Sequence, residues 1–117
     1  MTKYSIVIPT YGRPQYLKKC LASVNIQSIK PQDVFVIDNN DSPESQRITK
    51  EIVNNFRLTN INLTYIKGLF NSGAVARNHG ASLVSTKLVA FLDDDVVLDF
   101  DYYENVLDVF EEDDQVV

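Results

Sequence analysis

The hydrophobic residues of this chain occur in short runs separated by longer segments with a different spacing. Four mostly apolar runs, at residues 4–9 (YSIVIP), 34–38 (VFVID), 63–67 (LTYIK) and 88–92 (LVAFL), are rich in β-branched and aromatic residues. Runs of this kind are typical of strands in the interior of a sheet. The pattern therefore predicts four β-strands.

Between and after these runs, apolar residues recur every three or four positions, which is the spacing of one face of an α-helix. The first helix is expected over residues 13–27, with Pro14 in its first turn, where a proline is tolerated. The third helix, within AVARNHGASLV, is expected to be weakened by Gly80. The apolar positions that mark the other helices are Leu17, Cys20, Leu21 and Val24 in the first, Ile48, Ile52 and Phe56 in the second, and Tyr103, Val106, Leu107 and Phe110 in a fourth over residues 102–112.

Strands that alternate with helices along the chain favour a parallel sheet covered on both sides. We therefore expect residues 1–117 to form one α/β unit, doubly wound, with a mostly parallel sheet and helices on both faces. No internal repeat or low-complexity segment interrupts this order.

The composition excludes several classes of protein. With 44% hydrophobic and 23% charged residues, the 117-residue chain is too apolar to be intrinsically disordered. Its net charge of -5 and the lack of a basic cluster argue against nucleic-acid binding. The single cysteine cannot form a disulfide within the chain, and neither a signal sequence nor a membrane span is visible. These features predict a cytoplasmic protein.

Polar clusters follow all four predicted strands. PTYGR follows the first strand, DNNDS the second, NSGAVARN lies beyond the third, in and after the loop at residues 68–73, and DDD, at residues 93–95, follows the fourth. Since the carboxyl ends of parallel strands meet at one edge of a sheet, where ligands bind in such folds, we expect these clusters to converge on one site.

The three consecutive aspartates need compensation for their repulsion, which is about 1 kcal/mol at ~4 Å in water and larger near a cleft. Full solvation in a turn, a nearby Arg or Lys, or a divalent cation would each supply it. If the strand continues through them, Asp93 and Asp95 face one side of the sheet and Asp94 the other.

Each cluster also has a purely structural interpretation. A lone DDD is more often a solvated turn or the start of a helix, and Asp38 with its two asparagines suits a turn. Arg77 could be a surface charge and Tyr11 a packing residue. Cys20 and His79 are interpreted as structural, because Cys20 lies on the predicted core face of the first helix and His79 has no second imidazole or thiolate nearby for a zinc site. The glycine-rich motifs GxGxxG and GxxxxGK[ST], which bind phosphates, are absent.

Taken together, the segments YSIVIPTYGRPQYLKKCLASVNIQ, VFVIDNNDS, NSGAVARNHG and FLDDDVV resemble the family 2 glycosyltransferases of the Rossmann-like GT-A fold. The resemblance implies transfer of a sugar from a nucleotide-diphosphate sugar to a saccharide, lipid-linked or protein acceptor, as in polysaccharide biosynthesis. It implies an inverting, metal-dependent reaction in which Mg²⁺ or Mn²⁺ stabilises the leaving diphosphate.

The same resemblance assigns roles to individual residues. Tyr11 would stack on the base, Asp38 would accept a hydrogen bond from it, and Asp94 would lie near the ribose. Asp95, with Asp93, would bind the metal as a DXD motif. The full set of residues implied to bind the nucleotide sugar is Pro9, Thr10, Tyr11, Arg13, Asp38, Asn40, Arg77, Asp93 and Asp94.

The sequence departs from the family pattern in two places. Gly12 stands where the family commonly has Asn, and the chain ends at EEDDQVV, where residues 115–117 resemble the start of another strand. We therefore expect a truncated, donor-binding part of a longer enzyme, whose general base and acceptor-binding half lie beyond Val117. Such a piece would expose apolar sheet and helix surface that the missing half would cover, which predicts weak stability or self-association through that truncated face. The full-length enzyme could act at the inner face of the membrane.

The aspartates that flank the last predicted helix, Asp99, Asp101, Asp113 and Asp114, are interpreted as surface charges and not as that base. Two other functions remain open at this point. A phospho-acceptor receiver module also gathers carboxylates around Mg²⁺, although it should carry an acidic pair after its first strand, where this chain has PTYGR. A non-catalytic module that binds a sugar nucleotide is the other alternative.

Overall fold

A computed structural model of the chain describes residues 2–68 and 72–112. In these residues strands and helices alternate as the sequence pattern predicts, with boundaries that differ by only one or two residues. Part of the predicted loop at residues 68–73, and the predicted strand start at residues 115–117 with Asp113 and Asp114, lie outside the described residues. The elements are β1 Tyr4–Thr10, α1 Pro14–Asn25, β2 Asp33–Asp38, α2 Pro43–Asn55, β3 Asn62–Lys67, α3 Gly73–Ser82, β4 Leu88–Phe91 and α4 Tyr102–Glu112.

The four strands form one parallel sheet in the order β3-β2-β1-β4. The chain moves outward from β1 to β3 and then returns to the other side of β1 to form β4. Thr10, the last residue of β1, is paired with Asp38, the last residue of β2. The doubly wound α/β prediction is therefore confirmed, and the polar segments after β1, β2 and β4 meet at one edge.

Side chains from the central strands alternate between two apolar layers. Ile6 and Ile8 of β1 pack into the larger layer with residues of α1, α2 and α4. Val7, between them, points to the opposite face and packs with Ile37 and with Ala76 of α3. Full burial of an aliphatic side chain stabilises a fold by about 1.5 to 3 kcal/mol. Because successive side chains of β1 point to opposite faces of the sheet, this stabilisation favours helices on both faces.

Helix α2 packs on the core through a face wider than the predicted one. Ile52 and Phe56 are partly buried against the core, as predicted, and Thr49 and Val53 are buried beside them. Ile48 is partly exposed. The Thr49 hydroxyl also accepts a hydrogen bond from the Asn40 side chain at 3.1 Å, which links the helix to the segment after β2.

Helix α3 continues through Gly80, so the expected weakening at this residue does not end the helix. Gly80 is buried against Val7, and a Cβ at this position would overlap the Val7 side chain. The glycine therefore allows α3 to approach β1 closely. The approach places the N-terminal end of α3 at the edge where the polar segments meet.

Helix α4 is held by aromatic packing. The ring of Tyr103 lies 4.9 Å from that of Tyr4, centroid to centroid, and the Tyr4 hydroxyl donates to the Ile29 carbonyl oxygen at 2.6 Å. Tyr103 and Leu107 are buried, as the helical spacing predicts. Within residues 2–68 and 72–112, no helix has both the length and the apolar character needed to cross a membrane.

Candidate functional site

A cavity of about 400 Å³ lies at the carboxyl edge of the sheet. It is centred between the ends of β1 and β4, where the order of the strands reverses, which is the usual ligand site of a doubly wound sheet. The residues that line it are Pro9, Thr10, Tyr11, Arg13, Asn39, Gly73, Arg77, Asp93, Asp94 and Asp95.

The cavity brings together most of the residues singled out from the sequence, but not all of them. Asp38 and Asn40 are not among the lining residues; both are buried at the end of β2. In their place the cavity is lined by Asn39 and Gly73, which sequence reasoning missed. Asn39 had a usable signal, because adjacent residues leaving a strand point in opposite directions.

The floor of the cavity contains a buried hydrogen bond between two strand ends. The Thr10 hydroxyl donates to Asp94 Oδ2 at 2.8 Å, and the Asp94 residue is only 5% exposed. Because a buried carboxylate is costly without a donor, this bond fixes the orientation of Asp94 beside β1.

A guanidinium compensates the charge of the aspartates. Arg13 Nη1 lies 3.0 Å from Asp95 Oδ2 and 3.6 Å from Asp94 Oδ1. The Arg13 and Asp95 side chains are about half exposed, at 51% and 46%. Of the three forms of compensation considered for this cluster, a nearby cationic side chain is therefore present.

The aspartates themselves form a turn and not an extension of β4. The strand ends at Phe91, and the Val96 N–H donates to the Asp93 carbonyl oxygen at 3.2 Å. Asp94 is buried, whereas Asp93 and Asp95 are exposed. Asp94 therefore differs from Asp93 and Asp95 in its surroundings, as expected. The cause is the turn and not the alternation of side chains along a continuing strand, which was the reason given for the expectation.

The aspartates suit a divalent cation in chemical type, since Mg²⁺ and Mn²⁺ prefer carboxylate oxygens. Among residues 2–68 and 72–112, no group of three or more His, Cys, Asp or Glu side chains is arranged to hold a metal ion. Asp95, one of the two predicted ligands, is paired with Arg13. A cation at Asp95 would therefore share this carboxylate with the guanidinium or replace it.

Asp38 belongs to a buried polar network. The residue is 1% exposed; its Oδ1 accepts from the backbone N–H of Asn40 at 2.8 Å, and its Oδ2 accepts from the Tyr65 hydroxyl at 2.5 Å. Burial, and then the hydrogen bond and charge of Asp38, raise the pKa of the Tyr65 hydroxyl. The predicted contact of Asp38 with a base stays a prediction, and it would require the carboxylate to share these donors.

Asn40 links this network to the loop after β1. Its Nδ2 donates to Asp38 Oδ1 at 2.7 Å, and its Oδ1 accepts from the Gly12 N–H at 2.8 Å. Gly12 has a φ of 67°, in the left-handed region that favours glycine and asparagine. The loop that carries Tyr11 and Arg13 is thus tied to the end of β2.

The opposite wall of the cavity is the start of α3. Ser72 caps this helix, accepting from the Val75 N–H at 3.4 Å, and Gly73 lines the cavity. The exposed Arg77 guanidinium lies over Gly73, where a Cβ would be 3.3 Å from Arg77 Nη1. A helix N-terminus and an arginine together favour an anion on this side.

Cys20 and His79 were interpreted as structural, and their surroundings agree with that role. The Cys20 thiol is buried and donates to the Asp93 carbonyl oxygen at 3.6 Å. Burial, followed by the charges of the three aspartates, raises the pKa of Cys20 to about 12, so it is not a thiolate at neutral pH. His79 Nδ1 is buried with no hydrogen-bond partner among the described residues.

Comparison with solved structures shows the same architecture in known proteins. TarS 1-349 from S. aureus in complex with UDP-GlcNAc matches with a TM-score of 0.73 at 23% identity, over 94% of this chain and 31% of that one. The mannosyltransferase PcManGT from Pyrobaculum calidifontis, in complex with GDP-Man and Mn²⁺, matches with a TM-score of 0.78 at 17% identity, over 93% and 32%. These likenesses confirm the GT-A fold.

Sequence comparison gives the family. Validoxylamine A glucosyltransferase from Streptomyces hygroscopicus subsp. limoneus is 35% identical over 88% of this chain, which spans 22% of that protein. The minor teichoic acid biosynthesis protein GgaB from Bacillus subtilis is 30% identical over 93% of this chain, which spans 12% of it. The family described as Glycosyl transferase family 2 matches residues 5–117. With nearly its whole length matched and its polar strand ends gathered at one cavity, the chain belongs to glycosyl transferase family 2.

Proposed function

We propose that this chain is the donor-binding part of a metal-dependent glycosyltransferase, which transfers a sugar from a nucleoside diphosphate to an acceptor hydroxyl. The observation that carries the proposal is the cavity between β1 and β4, in which arginines and aspartates face each other across the strand ends. The family membership of residues 5–117 supports the reaction class.

The nucleoside half of the donor would bind on the side of β1. Tyr11 is 46% exposed at the cavity, so its ring has a free face for a base. Asp94, oriented by Thr10, would accept a hydrogen bond from a ribose hydroxyl. Pro9 and Asn39 would complete the wall beside the base.

The diphosphate would lie between the two arginines. Arg77 and the N-terminal end of α3 form one side of the cavity and Arg13 forms the other. Arginine binds phosphate oxygens through two parallel N–H groups, and a helix N-terminus favours negative charge. Both would stabilise the charge that grows on the leaving diphosphate during transfer.

A divalent cation would offset the remaining negative charge. Three aspartates and two arginines line the cavity, so a bound diphosphate would leave a clear excess of negative charge. Mg²⁺ or Mn²⁺ held by Asp95 and Asp93 would correct this and polarise the leaving group. A similar structure, PcManGT, is in complex with GDP-Man and Mn²⁺, which supports a cation beside the diphosphate here.

The acceptor and the general base are proposed to lie outside residues 1–117. The chain spans 22% of the first relative described above, and similar short fractions of the others. Among the curated relatives is GalNAc(5)-diNAcBac-PP-undecaprenol beta-1,3-glucosyltransferase from Campylobacter jejuni, whose name supports a lipid-linked acceptor. The inverting outcome and the cytoplasmic location stay predictions.

Self-association is proposed through the edge of the sheet at β4. Val89 and Phe91, two residues apart on this strand, are 38% and 48% exposed and so place apolar surface next to its unpaired edge. An edge strand with such side chains readily pairs with another chain. Sedimentation of the purified chain at several concentrations would detect the association, and a monomer at all of them would contradict it.

The proposed function is tested by titrating the chain with UDP, GDP, CDP and dTDP, each with and without Mn²⁺, in a calorimeter. We expect one nucleotide to bind more tightly than the others, and Mn²⁺ to strengthen that binding. AMP serves as a control that lacks the diphosphate. Failure of all four diphosphates to bind, with and without the metal, would refute the donor-site assignment.

A further inference from the structure

A chain of hydrogen bonds runs from the buried end of β2 to the exposed loop at the cavity. We propose that Asn40 is a positioning residue: held by Asp38, it fixes the backbone of residues 11–13 through the Gly12 N–H and does not touch the donor itself. The inference rests on the proposed function, because it concerns the same cavity.

The first step is the orientation of the Asn40 amide. Its Nδ2 group donates to Asp38 Oδ1 at 2.7 Å and to Thr49 Oγ1 at 3.1 Å. A carboxylate can only accept hydrogen bonds, so the NH₂ end of the amide must face Asp38. The amide oxygen is therefore directed to the other side, where it meets the Gly12 N–H.

The second step is the rigidity of this support. Asn40 is only 7% exposed, its backbone N–H donates to Asp38 Oδ1, and its carbonyl oxygen accepts from Gln46 Nε2 at 2.8 Å. Backbone and side chain are thus both fixed from within the fold. A residue restrained in this way can impose a geometry on a softer neighbour.

The softer neighbour is Gly12. It is exposed, its φ is 67°, and a Cβ built on it would meet no atom of residues 2–68 and 72–112 within 4 Å. Packing against these residues therefore does not select this conformation, and glycine adopts positive and negative φ almost equally well. The hydrogen bond from the Gly12 N–H to Asn40, 2.8 Å long, restrains the Gly12 backbone directly, whereas the exposed Arg13–Asp95 pair restrains the loop only through a side chain.

The consequence concerns the residues on both sides of Gly12. Tyr11 and Arg13 line the cavity, and their direction depends on the backbone between them. If the loop samples several conformations, only a fraction of the molecules presents both side chains correctly, and the apparent affinity falls by that fraction. Asp38 and Asn40 thus support the cavity from below, consistent with their absence from its lining.

The test uses two variants and two measurements. N40A removes the acceptor of the Gly12 N–H. T49V removes only the bond between Asn40 Nδ2 and Thr49, so it disturbs the same network but leaves Gly12 held. Hydrogen exchange of the Gly12 amide, followed by NMR, reports the loop, with the amides of α3 as the internal reference. Calorimetric titration with UDP and Mn²⁺ reports the donor site, and GDP, CDP or dTDP replaces UDP where it binds more tightly.

We expect N40A to lose the protection of the Gly12 amide and to keep that of α3. It should bind the nucleotide about tenfold more weakly, which corresponds to about one molecule in ten with the loop in the correct form. T49V should retain the protection of the Gly12 amide, and its affinity for the nucleotide should stay within about twofold of that of the unaltered chain. Should N40A not fold, N40S replaces it: its shorter side chain stays polar beside Asp38 but does not extend to the Gly12 N–H, and the same loss is expected.

Three results would overturn the inference. N40A could bind the nucleotide as tightly as the unaltered chain, its Gly12 amide could remain protected, or T49V could lose as much affinity as N40A, which would indicate general softening. The proposed function fails separately: in that case the unaltered chain binds none of the four nucleotides, and the inference falls with it.

Discussion

The guanidinium of Arg13 lies 3.0 Å from the carboxylate of Asp95, the residue proposed as a metal ligand. Arg13 therefore offsets part of the charge on which a metal at Asp95 would rely. Since an exposed ion pair contributes at most about 1 kcal/mol, Arg13→Gln should strengthen Mn²⁺ binding without nucleotide by up to about fivefold. It should weaken binding of the nucleoside diphosphate, to which Arg13 is proposed to contribute a contact.

Calorimetry with Mn²⁺ alone, and then with nucleotide, measures these opposite effects. Arg47→Gln is the matched control, because Arg47 pairs with Glu44 and Glu51 on the surface of α2, away from the cavity. Weaker Mn²⁺ binding by Arg13→Gln would show that Arg13 does not compete with the metal.

Variants of Asp95 and Asp101 distinguish a defined metal site from general attraction of the metal to an acidic surface. Asp95→Asn should abolish the part of nucleoside diphosphate binding that depends on Mn²⁺, because the amide lacks the charge that a hard cation requires. Asp101→Asn, which removes the same charge outside the cavity lining, should have little effect. Equal losses in the two variants would contradict a specific site.

Tyr65→Phe should destabilise the fold. The Tyr65 hydroxyl donates to Asp38 Oδ2, and its removal leaves that buried oxygen without this donor. We expect a loss of about 1 to 3 kcal/mol in the free energy of unfolding, measured in urea. Tyr16→Phe is the control, since Tyr16 is 56% exposed. A Tyr65→Phe variant as stable as the control would mean that Asp38 finds another donor.

Gly80→Ala should also be destabilising, although alanine is the better helix former. The new Cβ would overlap the Val7 side chain, and overpacking of this kind typically costs about 1 to 3 kcal/mol. Gly73→Ala, in the same helix, meets only the flexible end of Arg77 and should be neutral or stabilising. Thermal unfolding of the two variants measures this difference. Equal melting temperatures for Gly80→Ala and Gly73→Ala would argue against close packing of α3 on β1.

The Cys20 thiol should resist modification in the folded chain. It is fully buried, and burial raises its pKa to about 12, so almost no thiolate forms at pH 8. We expect slow reaction with a disulfide reagent in buffer and rapid reaction in urea, followed by absorbance. Rapid labelling of the folded chain would show that α1 opens beside the aspartates.

The sequence predicted the architecture well because the relevant signals are local. The apolar runs and the helical spacings follow from the side-chain periods of strands and helices, and their alternation favours a parallel sheet. The convergence of PTYGR, DNNDS and DDD also followed, because parallel strands deliver their carboxyl ends to one edge. Side-chain contacts between residues far apart in the sequence could not be predicted from these local patterns.

Two such contacts changed the picture of the site. Asp38 was predicted to contact the nucleotide, but the structure buries it against Tyr65, 27 residues further along the chain. Asp95 was predicted as a metal ligand, and the structure also gives it a partner in Arg13, 82 residues away. In both cases the sequence identified a carboxylate of suitable chemistry. Which residue forms a hydrogen bond or ion pair with it depended on the packing of another strand or loop.

By itself, the sequence determined which residues form strands and helices and at which edge of the sheet the polar groups gather, since hydrophobic period and chain order decide both. Tertiary structure alone decided which of those groups face the cavity. All three residues after the core of β2 are buried, yet only Asn39 lines the cavity, because Asp38 is held by Tyr65 and Asn40 is held by Asp38 and Gly12. The direction of a loop side chain depends on hydrogen bonds to distant residues, such as the one from Gly12 to Asn40, and no local pattern in the sequence encodes them.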